Sequence, residues 1–149
     1  MTQQGARTDV GRHPTPPDFT PRLRLKPKAP RSGYVDGAWW PWSDDLTGEL
    51  PDLLAVLSVR LGRIERVMYN LGEWATAPAK AMLGERVVRL DGYRRQPINT
   101  LEVRGVNRDR ILLLVVPPTT DSDQAHATMM SAATPNNNSS TAGLLTAGV

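Results

Sequence analysis

Between residues 46 and 61 the chain sets Leu46, Leu50, Leu53, Leu54, Leu57 and Leu61 at helical spacing, so that one apolar stripe runs along an otherwise polar segment. That stripe predicts an amphipathic helix, the strongest element in the sequence. Ser43, Asp44 or Asp45 can cap its start and complement the helix dipole. Gly62 is placed to end it. Pro51 fits best in a first turn, which moves the expected start of the regular helix toward Leu50.

Elsewhere the period is two. Arg22-Leu-Arg-Leu-Lys26 alternates basic and apolar residues, as a half-buried strand with a basic outer face would, and Pro27 and Pro30 end it. Gly33 to Trp42 reads either as a short strand around Asp36-Gly37 or as a loop that covers the core. Ile64 to Leu71 alternates loosely, then Gly72 and Trp74 lead into an Ala/Pro-rich connection with no assigned element. Segments 85–90 and 93–96 flank Asp91-Gly92, a two-residue hairpin signal. Thr100 to Arg104 alternates, a turn follows over 105–109, and Ile111 to Val116 is apolar on both faces, as in a central strand. Pro117-Pro118 stops it. Thr120 or Asp121 can cap a last helix to about Ala133, with Ala125, Met129 and Ala132 on one side. Strands in sequence joined by tight turns predict an α+β fold. The expected architecture is a mostly antiparallel sheet of five to seven strands with the main helix and the short C-terminal helix on one face.

Composition narrows the ordered part. The chain has 149 residues. Residues 1–20 are rich in Pro, Gly and Thr, and 134–149 carry a Pro-Asn-Asn-Asn-Ser-Ser run from Pro135. Neither stretch offers enough apolar surface to offset the entropy of ordering, so both are expected to be disordered tails around one domain over 21–133. There is no cysteine, which excludes disulfides, thiolate metal sites and a Cys nucleophile. With no apolar leader and no long apolar run, the expected location is the cytoplasm. The net charge of +3 is uneven: residues 32–62 carry one Arg against five acids, whereas 63–116 carry ten basic against six acidic side chains.

Candidate chemistry is sparse. His13 lies in the first tail and His126 stands alone on the last helix, so neither has a catalytic partner within reach. No metal-ligand spacing or phosphate loop occurs, and the sequence implies no cofactor and argues against an enzyme. Asp44, Asp45, Glu49 and Asp52 are better read as acids opening a helix than as paired catalytic carboxylates. The aromatic distribution is unusual. Three of four tryptophans fall at Trp39, Trp40 and Trp42, with Trp74 and Tyr69 on the segment after the main helix. They can line a small-molecule pocket with Asp36, Asn70 and Arg94 or Arg95 as polar anchors, or simply pin a loop to the sheet. Arg22, Arg24 and Lys26, with Arg94, Arg95 and Arg104 on neighbouring segments, offer an alternative: stacking and charge for a single-stranded nucleic acid or another anion.

The motif Gly33-Tyr-Val-Asp-Gly-Ala-Trp-Trp-Pro-x-Ser-x-Asp-Leu-x-x-Glu-Leu-Pro-x-Leu53 resembles that of a small actinobacterial family classed as a domain of unknown function. Arg22-Leu-x-Leu-x-Pro27, Val67-x-Tyr-Asn70, Gly92-Tyr-Arg94 and Leu113-Leu-Val-Val-Pro-Pro118 extend the resemblance over roughly 21–133. It implies the domain limits and brings no activity, ligand or catalytic residue. The expected function is therefore a non-enzymatic binding or regulatory module that uses the Trp-rich region for a small molecule or another protein. The alternative is an arginine-driven nucleic-acid or anion binder through Arg22, Arg24 and Arg95.

Overall fold

The computed structural model describes residues 21–27, 34–83, 86–134 and 143–145. Most of both expected tails lies outside these residues. In chain order the elements are β1 (Leu23–Leu25), β2 (Gly37–Trp39), α1 (Leu46–Leu61), β3 (Ile64–Asn70), β4 (Lys80–Leu83), β5 (Arg86–Tyr93), β6 (Thr100–Gly105), β7 (Arg110–Val115) and α2 (Ser122–Ala132). The strands form one sheet in the order β1-β2-β7-β6-β3-β5-β4. β2/β7 and β3/β5 are parallel pairs and the other four are antiparallel. The fold is α+β, with a mixed rather than purely antiparallel sheet.

The leucine stripe of α1 behaves as its spacing requires. Leu46, Leu50, Leu53, Leu54, Leu57 and Leu61 are all buried, in a cluster with Val67, Leu90, Leu101, Val103, Ile111 and Leu113 from the sheet. Burying each such side chain is worth about 1.5–3 kcal/mol. The helix starts at Leu46, earlier than Pro51 suggested, and Pro51 sits exposed in its second turn. Its first turn is supported from outside. The Glu49 N–H donates to the Asp45 carbonyl at 3.0 Å, while the Glu49 carboxylate accepts from the Trp42 N–H at 2.9 Å and the Ser43 hydroxyl at 2.8 Å.

The helices occupy opposite faces of the sheet, not one face as expected. Along β7 and its extension, Ile111, Leu113 and Val115 join the α1 cluster. Leu114 and Val116 point the other way, against Ala125, Met129 and Ala132 of α2 with Val35, Ala38 and Trp40. A strand apolar on both faces needs cover on both, and a single layer of helices would leave half of it in water. Asp121 caps α2, its carboxylate accepting from the N–H groups of Asp123 at 3.1 Å and Gln124 at 3.3 Å. In the stretch expected to be a C-terminal tail, Leu144 is only 2% exposed in this second cluster, and Leu145 packs beside it.

The hairpin expected at Asp91-Gly92 does not form. β5 runs straight through both residues, paired in parallel with β3 through Met68 and Tyr69. Gly92 serves close approach instead: a Cβ there would stand 2.8 Å from the Tyr69 ring and collide with Leu71. The Asp36-Gly37 pair enters a short strand, β2, where a Cβ on Gly37 would meet the backbone of Arg24 and Leu25 on β1. The Ala/Pro-rich connection contains an unanticipated edge strand, β4, whose Ala81 and Leu83 pack against the α1 cluster.

Candidate functional site

The Trp39-Trp40-Pro41-Trp42 run leaves the sheet at the end of β2, and alternation sends its rings to different places. Trp39 points into the α1 cluster and stacks on Trp74, with centroids 5.6 Å apart and planes inclined by 20°. Trp40 points to the α2 side and meets His126 edge-on at 5.7 Å. Trp42, past the strand, is 68% exposed. The run therefore supplies two core anchors and one surface ring.

Arg22 joins the second and third rings. Its guanidinium carbon lies 3.6 Å from the Trp40 centroid and 3.7 Å from the Trp42 centroid, so the two indoles flank it. Nε donates to the Trp40 carbonyl at 2.9 Å and Nη2 to the Pro41 carbonyl at 2.8 Å. Burial holds Arg22 below its ordinary pKa, offset in part by the nearby Glu49 carboxylate. A cation–π contact of this kind contributes about 0.5–2 kcal/mol, more as it is desolvated. Beside the clamp opens a cleft of about 460 Å³ lined by Trp39, Trp40 and Trp42 with Pro21, Arg22, Gly48, Glu49 and Asp52. One wall is aromatic and the α1 wall carries carboxylates.

Other expected site residues do not converge here. The Asp36 carboxylate accepts the Leu112 N–H at 2.8 Å, which ties β2 to β7 and makes no pair with Arg94. Asn70 is consumed by the chain itself, donating to the Gln96 carbonyl at 2.7 Å and accepting from the Gly72 N–H at 2.8 Å. Trp74 is core. Arg94 and Arg95 are exposed in the β5–β6 connection. The basic stripe of β1 also divides: Arg24 is exposed, Arg22 is clamped, and Lys26 is only 4% exposed. Burial lowers the Lys26 pKa, and Asp36 pulls it back up. Among the described residues no group of three or more His, Asp or Glu side chains gathers as metal ligands.

Two participants escaped the sequence reading. Glu49, read as a dipole-complementing acid, anchors the loop that presents Trp42. Its six-residue distance from Ser43 does not match the three-residue capping box that would have flagged it. Glu73, outside the cleft lining, directly precedes Trp74 in the chain. Its Oε2 accepts the Asn99 N–H at 2.6 Å, and burial raises its pKa above the ordinary carboxylate value despite that bond.

A seven-stranded mixed sheet with a helix on each face and an arginine clamped between two indoles at a cleft defines a small α+β protein with a built surface feature. The chain belongs to the family of unknown function DUF5994, whose model matches residues 22–132, from the residue before β1 to the last residue of α2. No curated protein and no solved structure matches it. Among the described residues no helix is long and apolar enough to cross a membrane.

Proposed function

We propose that this protein is a non-enzymatic binding module whose contact site is the Trp42 cleft. One observation carries the reading: an indole 68% exposed is held in place by its backbone bond to Glu49 and by the Arg22 guanidinium beneath it. A large ring kept in water on an organised support is the type of residue that anchors recognition surfaces. The acidic α1 wall, with Glu49 and Asp52, suits a ligand that lays a flat face on Trp42 and offers a cationic or N–H group to the carboxylates.

The test is a titration of short arginine-bearing peptides, followed by tryptophan fluorescence, against the full chain and against Trp42→Ala and Asp52→Asn. Saturable quenching that weakens in both variants supports the reading. Binding that is unchanged in Trp42→Ala, or no binding to any such peptide, overturns it.

A further inference from the structure

The second face of the sheet carries a feature unrelated to the cleft. Strand register aligns Lys80 of β4 with Arg89 of β5, Arg89 with Arg66 of β3, Arg66 with Arg104 of β6, and Arg104 with Arg110 of β7. Five cations therefore form one row straight across five adjacent strands. Their chain neighbours Ala81, Val88, Val67, Val103 and Ile111 pack in the α1 cluster, so alternation puts the whole row on the opposite face. There α2 packs on β1 and β2, at the far end of the sheet. With strands about 4.8 Å apart, the row is about 19 Å long.

Like charges directly opposite each other on neighbouring strands are destabilising, and this row makes four such pairs in succession. The compensation is partial. Two carboxylates stand in the next row. Asp91 is bonded by Arg66 Nε and lies 3.6 Å from Arg89, and Glu102 lies 2.7 Å from Arg104 and 3.3 Å from Arg110. Each carboxylate orients two guanidinium groups of the row. The side chains of Arg89, Arg104 and Arg110 remain 57%, 42% and 54% exposed. Beside the row, exposed Met82 and Val87 lie on one side, and half-exposed Tyr93, whose hydroxyl accepts from Arg66 at 2.8 Å, lies on the other.

From this row we infer that the face docks the phosphate backbone of a single-stranded nucleic acid. A straight line of cations on an open sheet follows one backbone, whereas a duplex presents two. The flanking Tyr93, Met82 and Val87 give unstacked bases an apolar surface on either side. Sequence preference is not expected, because nothing in the row reads base edges.

The experiment is fluorescence anisotropy of labelled single-stranded DNA and RNA of about 15 nucleotides with the full chain. It is run from about 50 to 200 mM salt, where each phosphate contact contributes a slope of about −0.7 in log K against log salt. The variant is Arg89→Gln/Arg104→Gln/Arg110→Gln, all three at exposed positions, with its fold checked by circular dichroism. Arg94→Gln/Arg95→Gln, in the β5–β6 connection, is the control. The expected result is single-strand binding with a slope of about −2, weakened at least about tenfold with a flattened slope in the row variant and nearly unchanged in the control. Absence of binding, equal loss in the control, or tighter binding to a duplex of the same length overturns the inference. Row-dependent binding of poly-glutamate as tight as that of the oligonucleotide also overturns it, in favour of an acidic protein partner.

Discussion

The carboxylate of Asp36 accepts the backbone N–H of Leu112 at 2.8 Å, across 76 residues of chain. The Asp36 N–H donates in turn to the Leu112 carbonyl at 2.7 Å, and the Asp36 carbonyl accepts from the Lys26 N–H at 2.8 Å. One residue thus completes the joint between β1, β2 and β7. Asp36→Ala leaves the Leu112 N–H without its acceptor and should cost about 1–3 kcal/mol. Asp36→Asn keeps an acceptor oxygen and loses only the charge-assisted part, about 1 kcal/mol. Denaturant melts of both beside the wild type measure this, and equal losses would show that the bond to Leu112 is not what Asp36 contributes.

Adjacent tryptophans should behave oppositely. Trp39→Ala opens a cavity in the α1 cluster and strips Trp74 of its stacking partner, at about 3–5 kcal/mol. Trp42→Ala removes an exposed ring and one side of the Arg22 clamp, at under about 1 kcal/mol. Thermal denaturation of the two variants checks the ordering. A Trp42→Ala loss as large as that of Trp39→Ala would make the clamp part of the core rather than a surface.

Gly92 distinguishes a strand from a turn. A left-handed turn position accepts Asn better than Ala, but an extended residue under Tyr69 and Leu71 has no room for either. Gly92→Ala and Gly92→Asn are both expected to cost about 1–3 kcal/mol through overpacking. Adding Leu71→Ala should restore part of the Gly92→Ala loss, because the Leu71 side chain is the mobile half of the clash. Urea midpoints of the single and double variants test this coupling, and strict additivity would contradict it.

Glu73 sets a pH dependence. Burial raises its pKa in the folded protein above the ordinary 4.5, while the Asn99 N–H lowers it by less. The folded state therefore holds this proton more tightly than the unfolded chain does. Its contribution is fully present below pH 4.5 and is lost as pH rises through the raised folded value. Glu73→Gln keeps an oxygen for Asn99 and removes the titration. Stability measured from pH 4 upward should therefore fall less steeply in the variant than in the wild type, while parallel curves would mean that Glu73 titrates normally.

Much of the fold was legible where a single period ran long enough to be unambiguous. The leucine stripe set α1 and its buried face, and the two-faced apolar run of 111–116 marked β7 as central. That same run implied cover on both sides, yet strands joined in sequence by tight turns suggested an antiparallel sheet with its helices on one face. Which side a helix takes depends on the crossover that delivers it, and no local pattern encodes that. Asp91-Gly92 misled for a related reason. Glycine marks positive φ and close backbone approach with the same letter, and only the partner strand tells them apart.

The candidate surfaces divide along the same line. The sequence alone determined that aromatic side chains concentrate at 39–42, that cysteine chemistry is excluded, and that arginine dominates the basic residues. Tertiary structure alone decided that Trp39 and Trp40 are core and Trp42 is surface, because one residue of alternation carries a side chain through the sheet. It also decided that Lys80, Arg89, Arg66, Arg104 and Arg110 form a row. They are scattered over 45 positions and come from five strands whose spatial order, β4-β5-β3-β6-β7, is not their order in the chain. Register between strands is a property of the paired backbone, and only folding turns those separate residues into one surface.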